Sequence, residues 1–235
     1  MPTGRSMEQQ VVAASPERNG GPLSVLSVHH LNNSRSQRIL WMLEELGFDY
    51  EIWRYERNAD MSAPEKLKQI HPLGKSPIVQ DTCDGGIVTL VETGAICEYL
   101  VAKAQGRLGP PQDLEGTLRY RQFLHYAEGS VMPVLFAVLV ASKIPLLGKL
   151  AAKKITPMLD IHLDFVESQL RSRPWFAGGD ISAADIMMSF PLEAASKRAG
   201  LDQSRPATMA WLQKIHARRA YQTAMERGGD YVYSR

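Results

Sequence analysis

The hydrophobic pattern divides the chain into a first part that mixes strands with helices and a second part that is helical throughout. Leu23 to Leu31 predicts a strand, with Val25, Leu26 and Val28 apolar and β-favouring. From Ser36 to Leu46 the period becomes helical, with Ile39, Leu40, Leu43 and Leu46 on one face, and Gly47 stops that helix as a C-terminal cap. Tyr50 to Tyr55 is a second, aromatic-rich strand. A polar loop follows over 56–63, and Pro64 suits the first turn of a short helix through Ile70. Pro77 to Asp81 and Ile87 to Val91 predict two strands joined by the hairpin signal Asp84-Gly85. Thr93 to Ala104 is then a helix with Ile96, Tyr99, Leu100 and Ala104 inward. Gly106 to Asp113, with Gly109-Pro110-Pro111, breaks the pattern and reads as a linker. Beyond it no strand is predicted. Leu114 to Ser142 is helical, with a bend at Gly129-Ser130 and Pro133. Lys149 to Arg171 is a long amphipathic helix. Ser182 and Asp185 open another through a capping box in which Asp stands for Glu, and Thr208 to Arg227 is the last.

A length of 235 residues allows one large domain or two small ones, each able to bury a core. A net charge of +2 is too small to point to nucleic acid. The two cysteines, Cys83 and Cys97, form neither a CxxC pair nor a metal-ligand cluster, so a reducing, cytoplasmic setting is the simplest reading. His29, His30, His71 and His125 lack metal-ligand spacing, and no metal is expected. Residues 1–22 are rich in Gln, Ser, Pro, Gly and Asn and read as a disordered extension. The most apolar run, Val131 to Ala141, falls short of the ~20 residues that cross a bilayer, so no membrane span is expected.

Two motifs carry chemistry. In Lys75-Ser76-Pro77-Ile78-Val79 a proline stands at the mouth of an apolar run, where it can sit at a strand's first residue or edge. In Val91-Glu92-Thr93-Gly94-Ala95-Ile96 an acid and a hydroxyl stand where a strand becomes a helix. Edge backbone next to a helix N-terminus suits a ligand with peptide groups and a carboxylate. Together the motifs read as a site for a thiol-bearing peptide. The βαβ unit followed by an antiparallel hairpin is a thioredoxin-like order, and the polar turn "NNSRSQR" lies where such folds keep their reactive group.

With "HPLGKSP", "ETGAICEYL", "FAGGDISAADI" and "MAWLQKIHARRAY" in this order and spacing, the chain resembles the cytosolic glutathione transferases from Leu23 to about Arg227. It looks closest to the bacterial and fungal branch that includes the yeast GTT-type enzymes. Thr93 replaces that family's usual serine and keeps the hydroxyl; Arg219 stands where many members have proline. The resemblance implies an α/β thioredoxin-like N-terminal domain (23–105), a linker (106–113) and an all-α C-terminal helical domain (114–235). It also implies a homodimer that conjugates glutathione to a small hydrophobic electrophile in detoxification. A glutathione-dependent peroxidase or disulfide reductase on the same site, or a non-catalytic interaction module, are the alternatives.

Such chemistry requires a lowered thiol pKa, because a free thiol near ~8.5 is mostly protonated at neutral pH. Ser34 and Asn33 compete for the role of thiolate donor, and loop length decides between them. Arg35 offers a charge for the same purpose. Pro77 should be cis, with the Ser76 backbone pairing with the cysteinyl part of glutathione as an added strand. Glu92 suits the γ-glutamyl ammonium and Thr93 its carboxylate; Lys75 is a further contact. Tyr126, Met132 and Phe136 are the candidates to wall the electrophile pocket, a role that competes with ordinary core packing.

Overall fold

The computed structural model describes residues 11–12, 25–83, 85–145 and 148–233. Five strands form one mixed sheet in the order β1-β3-β2-β4-β5. They are β1 (Val11–Val12), β2 (Val25–Leu31), β3 (Tyr50–Tyr55), β4 (Ile78–Cys83) and β5 (Gly86–Leu90). β2 runs parallel to β3 and antiparallel to β4, and β4 pairs antiparallel with β5. β1 adds an antiparallel edge to β3 within the segment read as a disordered extension; the rest of 1–22 lies outside the described residues. Asp84 of the hairpin signal lies outside them too, and Gly86 turns with φ 118°.

Helix α1 (Ser36–Leu46) has the predicted bounds, and Gly47 ends it in the left-handed region at φ 65°. Its predicted inward face is buried, but so is nearly every position from Ser36 to Leu43. The reason is tertiary: α1 packs between the sheet on one side and helices of the second domain on the other. α2 (Lys66–Ile70) and α3 (Thr93–Lys103) complete the first domain. Tyr99 of α3 is only half-buried, and its hydroxyl donates to the buried Asp81 carboxylate at 2.6 Å.

The second domain is helical among the described residues. α4 (Leu114–Tyr126) runs through a π turn (Ala127–Val131) into α5 (Met132–Ser142). The sequence bend is this π turn. Pro133 has no N–H to offer the carbonyl one turn earlier, so the ladder widens there. The whole run Leu114–Ser142 is long and apolar enough to cross a membrane by length and composition. Its residues Tyr120, Phe123, Leu124, Val131 and Leu135 are buried as the packing face of the domain. α6 (Gly148–Ser172) packs back on α5, and α7 (Ala183–Arg198) is the buried central helix.

The single last helix read from the sequence is two helices, α8 (Pro206–His216) and α9 (Arg219–Gly228). Arg218 leaves helical geometry at ψ 134°. Its guanidinium reaches Glu45 of α1 with two bonds, 2.5 and 2.8 Å. α9 then lies along α1, with Tyr221 edge-on to Trp41. One continuous hydrophobic cluster takes in Leu26, Trp41 and Ile96 of the first domain and Phe123, Met188 and Trp211 of the second.

Candidate functional site

A cavity of about 730 Å³ opens where the two domains meet. Its first wall is built by the proline loop. The Ser76–Pro77 peptide bond is cis, as the motif implies. The Ser76 hydroxyl donates to the His29 carbonyl at 2.8 Å and accepts from the Leu31 N–H at 3.2 Å, which anchors the loop to the end of β2. Lys75, Ser76 and Pro77 all line the cavity.

The second wall is the start of α3. Glu92 holds φ 68°, a conformation that costs a non-glycine residue of order 1 kcal/mol and that clusters at functional sites. No side chain caps this helix, and Glu92, Thr93, Gly94 and Ala95 face the cavity. Uncapped N–H groups at a helix N-terminus are donors aimed at an anion. The proline loop and the α3 start, about fifteen residues apart in sequence, therefore form one surface.

Of the three candidates in the "NNSRSQR" turn, only Arg35 is among the lining residues. Asn33 sits in the left-handed region at φ 50°, and its side-chain oxygen accepts the Val232 N–H at 2.8 Å. The oxygen of that amide is thus tied to the C-terminal segment, and Asn33 is not among the residues that line the cavity. Ser34 is buried. Its hydroxyl oxygen accepts the Ser36 N–H at 3.2 Å and lies 2.7 Å from the Ser36 hydroxyl. The Ser36 hydroxyl is 2.8 Å from Nδ1 of His30. Burial, with the nearby Arg54 charge, pulls the His30 pKa down to about 4, so the ring is neutral at pH 7. The Gly228 backbone beside His30 offsets part of that fall. The Ser34 hydroxyl thus belongs to a buried hydrogen-bonded group with Ser36 and His30 and is not among the residues that line the cavity.

The third wall comes from the helical domain: Leu124, His125, Glu128, Gly129 and Met187. Glu128, in the π turn, is the centre of an ion cluster. Arg35 Nε donates to both of its oxygens at 3.0 Å, and Arg38 donates to Oε1 at 2.5 Å. Burial pushes the Glu128 carboxyl up, but the Arg38 and Arg35 guanidiniums outweigh it and hold the group below the usual carboxylate range. Arg38 is only 1% exposed. It also donates to the Met187 carbonyl at 2.7 Å and, at 3.4 Å, to the Thr93 hydroxyl oxygen. Two guanidiniums share one carboxylate, so the cluster carries a net positive charge beside the cavity.

Family models match both halves of the chain: the glutathione S-transferase N-terminal domain over residues 24–102 and the C-terminal domain over 131–219. The chain belongs to the glutathione S-transferase family. It is 34% identical to glutathione S-transferase 1 of Saccharomyces cerevisiae over 226 residues, covering 87% of this chain and 96% of the relative. A glutathione S-transferase from Actinobacillus pleuropneumoniae has the same fold, with TM-score 0.79 at 31% identity over 89% of this chain and 96% of that one. A glutathione transferase family member from Pseudomonas fluorescens, solved with two glutathiones bound, superposes with TM-score 0.73 at 23% identity over 85% of this chain and 91% of that one. The protein is therefore a transferase of this family.

In this transferase the three residues considered for the electrophile pocket are not among those lining the cavity. Met132 is buried in the core. Tyr126 turns its hydroxyl to Nδ1 of His162 at 2.6 Å and packs on Phe123 and Phe165. Phe136 is 62% exposed on α5. Along this stretch the cavity instead meets Leu124 and His125 of α4 and Glu128 and Gly129 of the π turn. In the sequence only Gly129 drew notice, with Ser130 and Pro133, as a bend.

Proposed function

We propose that this transferase joins the glutathione thiolate to a small hydrophobic electrophile, with Arg35 as the charge that stabilises the thiolate. The observation that carries the reading is that Arg35, alone among the three candidates of its turn, lines the cavity with Ser76, Pro77, Glu92 and Thr93. Glutathione would lie along the Ser76 backbone as an added strand. Its γ-glutamyl carboxylate would meet the Thr93 hydroxyl and the open N-terminus of α3, and its ammonium would meet Glu92; Lys75 would close the other end. The thiolate then attacks an electrophilic carbon of the second substrate. The S–C bond forms as the leaving group departs with its electron pair, and proximity supplies much of the rate. Leu124, Gly129 and Met187 give that substrate an apolar wall.

The apparent thiol pKa, read from the pH–rate profile with an aryl halide, tests the assignment. Arg35→Ala should raise it by about one to two units, while Ser34→Ala should leave it in place. The reverse pattern would return the role to Ser34. Faster turnover of cumene hydroperoxide than of the aryl halide would instead favour the peroxidase reading. A homodimer in a cytoplasmic, detoxifying role completes the proposal. The exposed Ile87 and Val88 of β5 and Leu114 and Leu118 of α4 offer its contact, and light scattering would show the doubled mass.

A further inference from the structure

The hairpin of α5 and α6 carries a surface that the transferase reading does not use. Between Glu128 and Asp160 the sequence holds four lysines, Lys143, Lys149, Lys153 and Lys154, and no aspartate or glutamate. On α5 and just past its end, Phe136, Val140 and Ile144 follow at a spacing of four, and all are exposed. On α6, Leu150, Met158 and Ile161 are each more than half exposed. Lys143, Lys153 and Lys154 are exposed among them. The hairpin already has a core face in Leu135, Val138, Ala141, Leu159 and Leu163. Its second apolar stripe does nothing for the fold, and a solvent-facing helix stripe is ordinarily polar.

The end of α5 and the start of α6 are held close together. The Gly148 N–H bonds the Ile144 carbonyl at 3.0 Å, and a Cβ at Gly148 would lie 2.3 Å from the Ala141 carbonyl oxygen, so only glycine permits this approach. Ile144 and Leu150 therefore stand at adjoining ends of α5 and α6. The charge pattern selects the occupant. A symmetric contact with a second copy would bring lysines against lysines, and the nearest carboxylates of α6, Asp160 and Asp164, already pair with Arg205. An anionic lipid layer answers both features, because apolar side chains enter the headgroup boundary while cations meet the surface charge.

We propose that the α5–α6 hairpin docks this protein reversibly on an anionic lipid surface. Ile144 and Leu150 enter the boundary layer, and Lys143, Lys153 and Lys154 meet the headgroups. This stands independently of the catalytic assignment.

Co-sedimentation of the full chain with phosphatidylcholine vesicles, with and without phosphatidylserine, tests it. The wild-type protein should bind the anionic vesicles about tenfold or more above the neutral ones, and high salt should release it. Lys153→Glu with Lys154→Glu should lower binding about tenfold or more, and Ile144→Ser with Leu150→Ser should lower it as well. Both double variants should keep the wild-type melting temperature and turnover of a water-soluble aryl halide. Absence of wild-type binding to anionic vesicles would overturn the proposal, as would binding that neither double variant changes. A shift from dimer to monomer in the Ile144→Ser, Leu150→Ser protein would overturn it too, by showing that a second copy covers this face.

Discussion

Arg35 and Arg38 are chemically alike and one turn apart, yet their surroundings give them different work. Arg38 is buried and depends on Glu128 for compensation, whereas Arg35 is 40% exposed and shares the same carboxylate. An anion that enters the cavity can draw Arg35 away at small cost, because an exposed pair contributes about 0–1 kcal/mol. Arg38 keeps Glu128 in place meanwhile. Glu128→Gln leaves Arg38 uncompensated in the interior and should cost about 3 kcal/mol, the lower end for breaking a buried pair, since Glu128 itself is partly exposed. Arg35→Ala leaves the Arg38 pair intact and should cost less than about 1 kcal/mol. Urea unfolding of both variants measures this, and equal losses would show that Arg38 does not rely on Glu128.

At the level of single elements, the start of α7 is the clearest device. The Ser182 N–H donates to Asp185 Oδ2 at 2.9 Å, completing the predicted capping box. Asp185 also accepts the Phe176 N–H at 3.0 Å, so it ties the preceding loop to the helix as well. Because it is fully buried and serves two segments, Asp185→Ala should cost about 2 kcal/mol, the upper range for a lost cap. Burial pushes the Asp185 pKa up to about 6 from 3.8. A raised pKa means that the folded state holds the proton more tightly. The contribution of the aspartic acid is therefore complete below about pH 4 and declines as pH rises through 6. Thermal melts should show the gap between wild type and Asp185→Ala widest near pH 4 and narrower at pH 7. Asp185 is not among the cavity residues, so the folded variant should keep the wild-type KM for glutathione. An altered KM at an unchanged melting temperature would place Asp185 in the active site.

On the scale of the whole molecule, the two domains share one core and several polar ties. Arg218 and Arg227 of the second domain pair with Glu45 and Glu44 of α1, and the Glu128 cluster spans the cavity. Separation would expose the apolar face of α1 that meets α7 and α9. The domains should therefore melt as one unit. Calorimetry should give a single transition whose calorimetric and van't Hoff enthalpies agree. Two resolved transitions would show that the shared cluster is too weak to couple them.

Local rules were enough for much of this protein. Helix α1, its Gly47 cap, strand β3 and the Ser182–Asp185 box depend on side-chain period, backbone freedom and near-neighbour hydrogen bonds, all of which are written in consecutive residues. The proline loop and the Glu92-Thr93 turn were legible because each is a short motif whose chemistry lies in its own backbone. The choice among Asn33, Ser34 and Arg35 was not. It depends on Val232 reaching Asn33 from 199 residues away, and on the buried bonds that join Ser34 to Ser36 and His30. The division of the last helix was hidden for the same reason, because it follows from the attraction of Arg218 to Glu45, 173 positions earlier. Which residues of the helical domain face the cavity depended on how that domain packs against the first. Period and propensity act between neighbours, whereas the direction of a polar side chain is set by whichever distant group satisfies it, and only the tertiary structure brings those groups together.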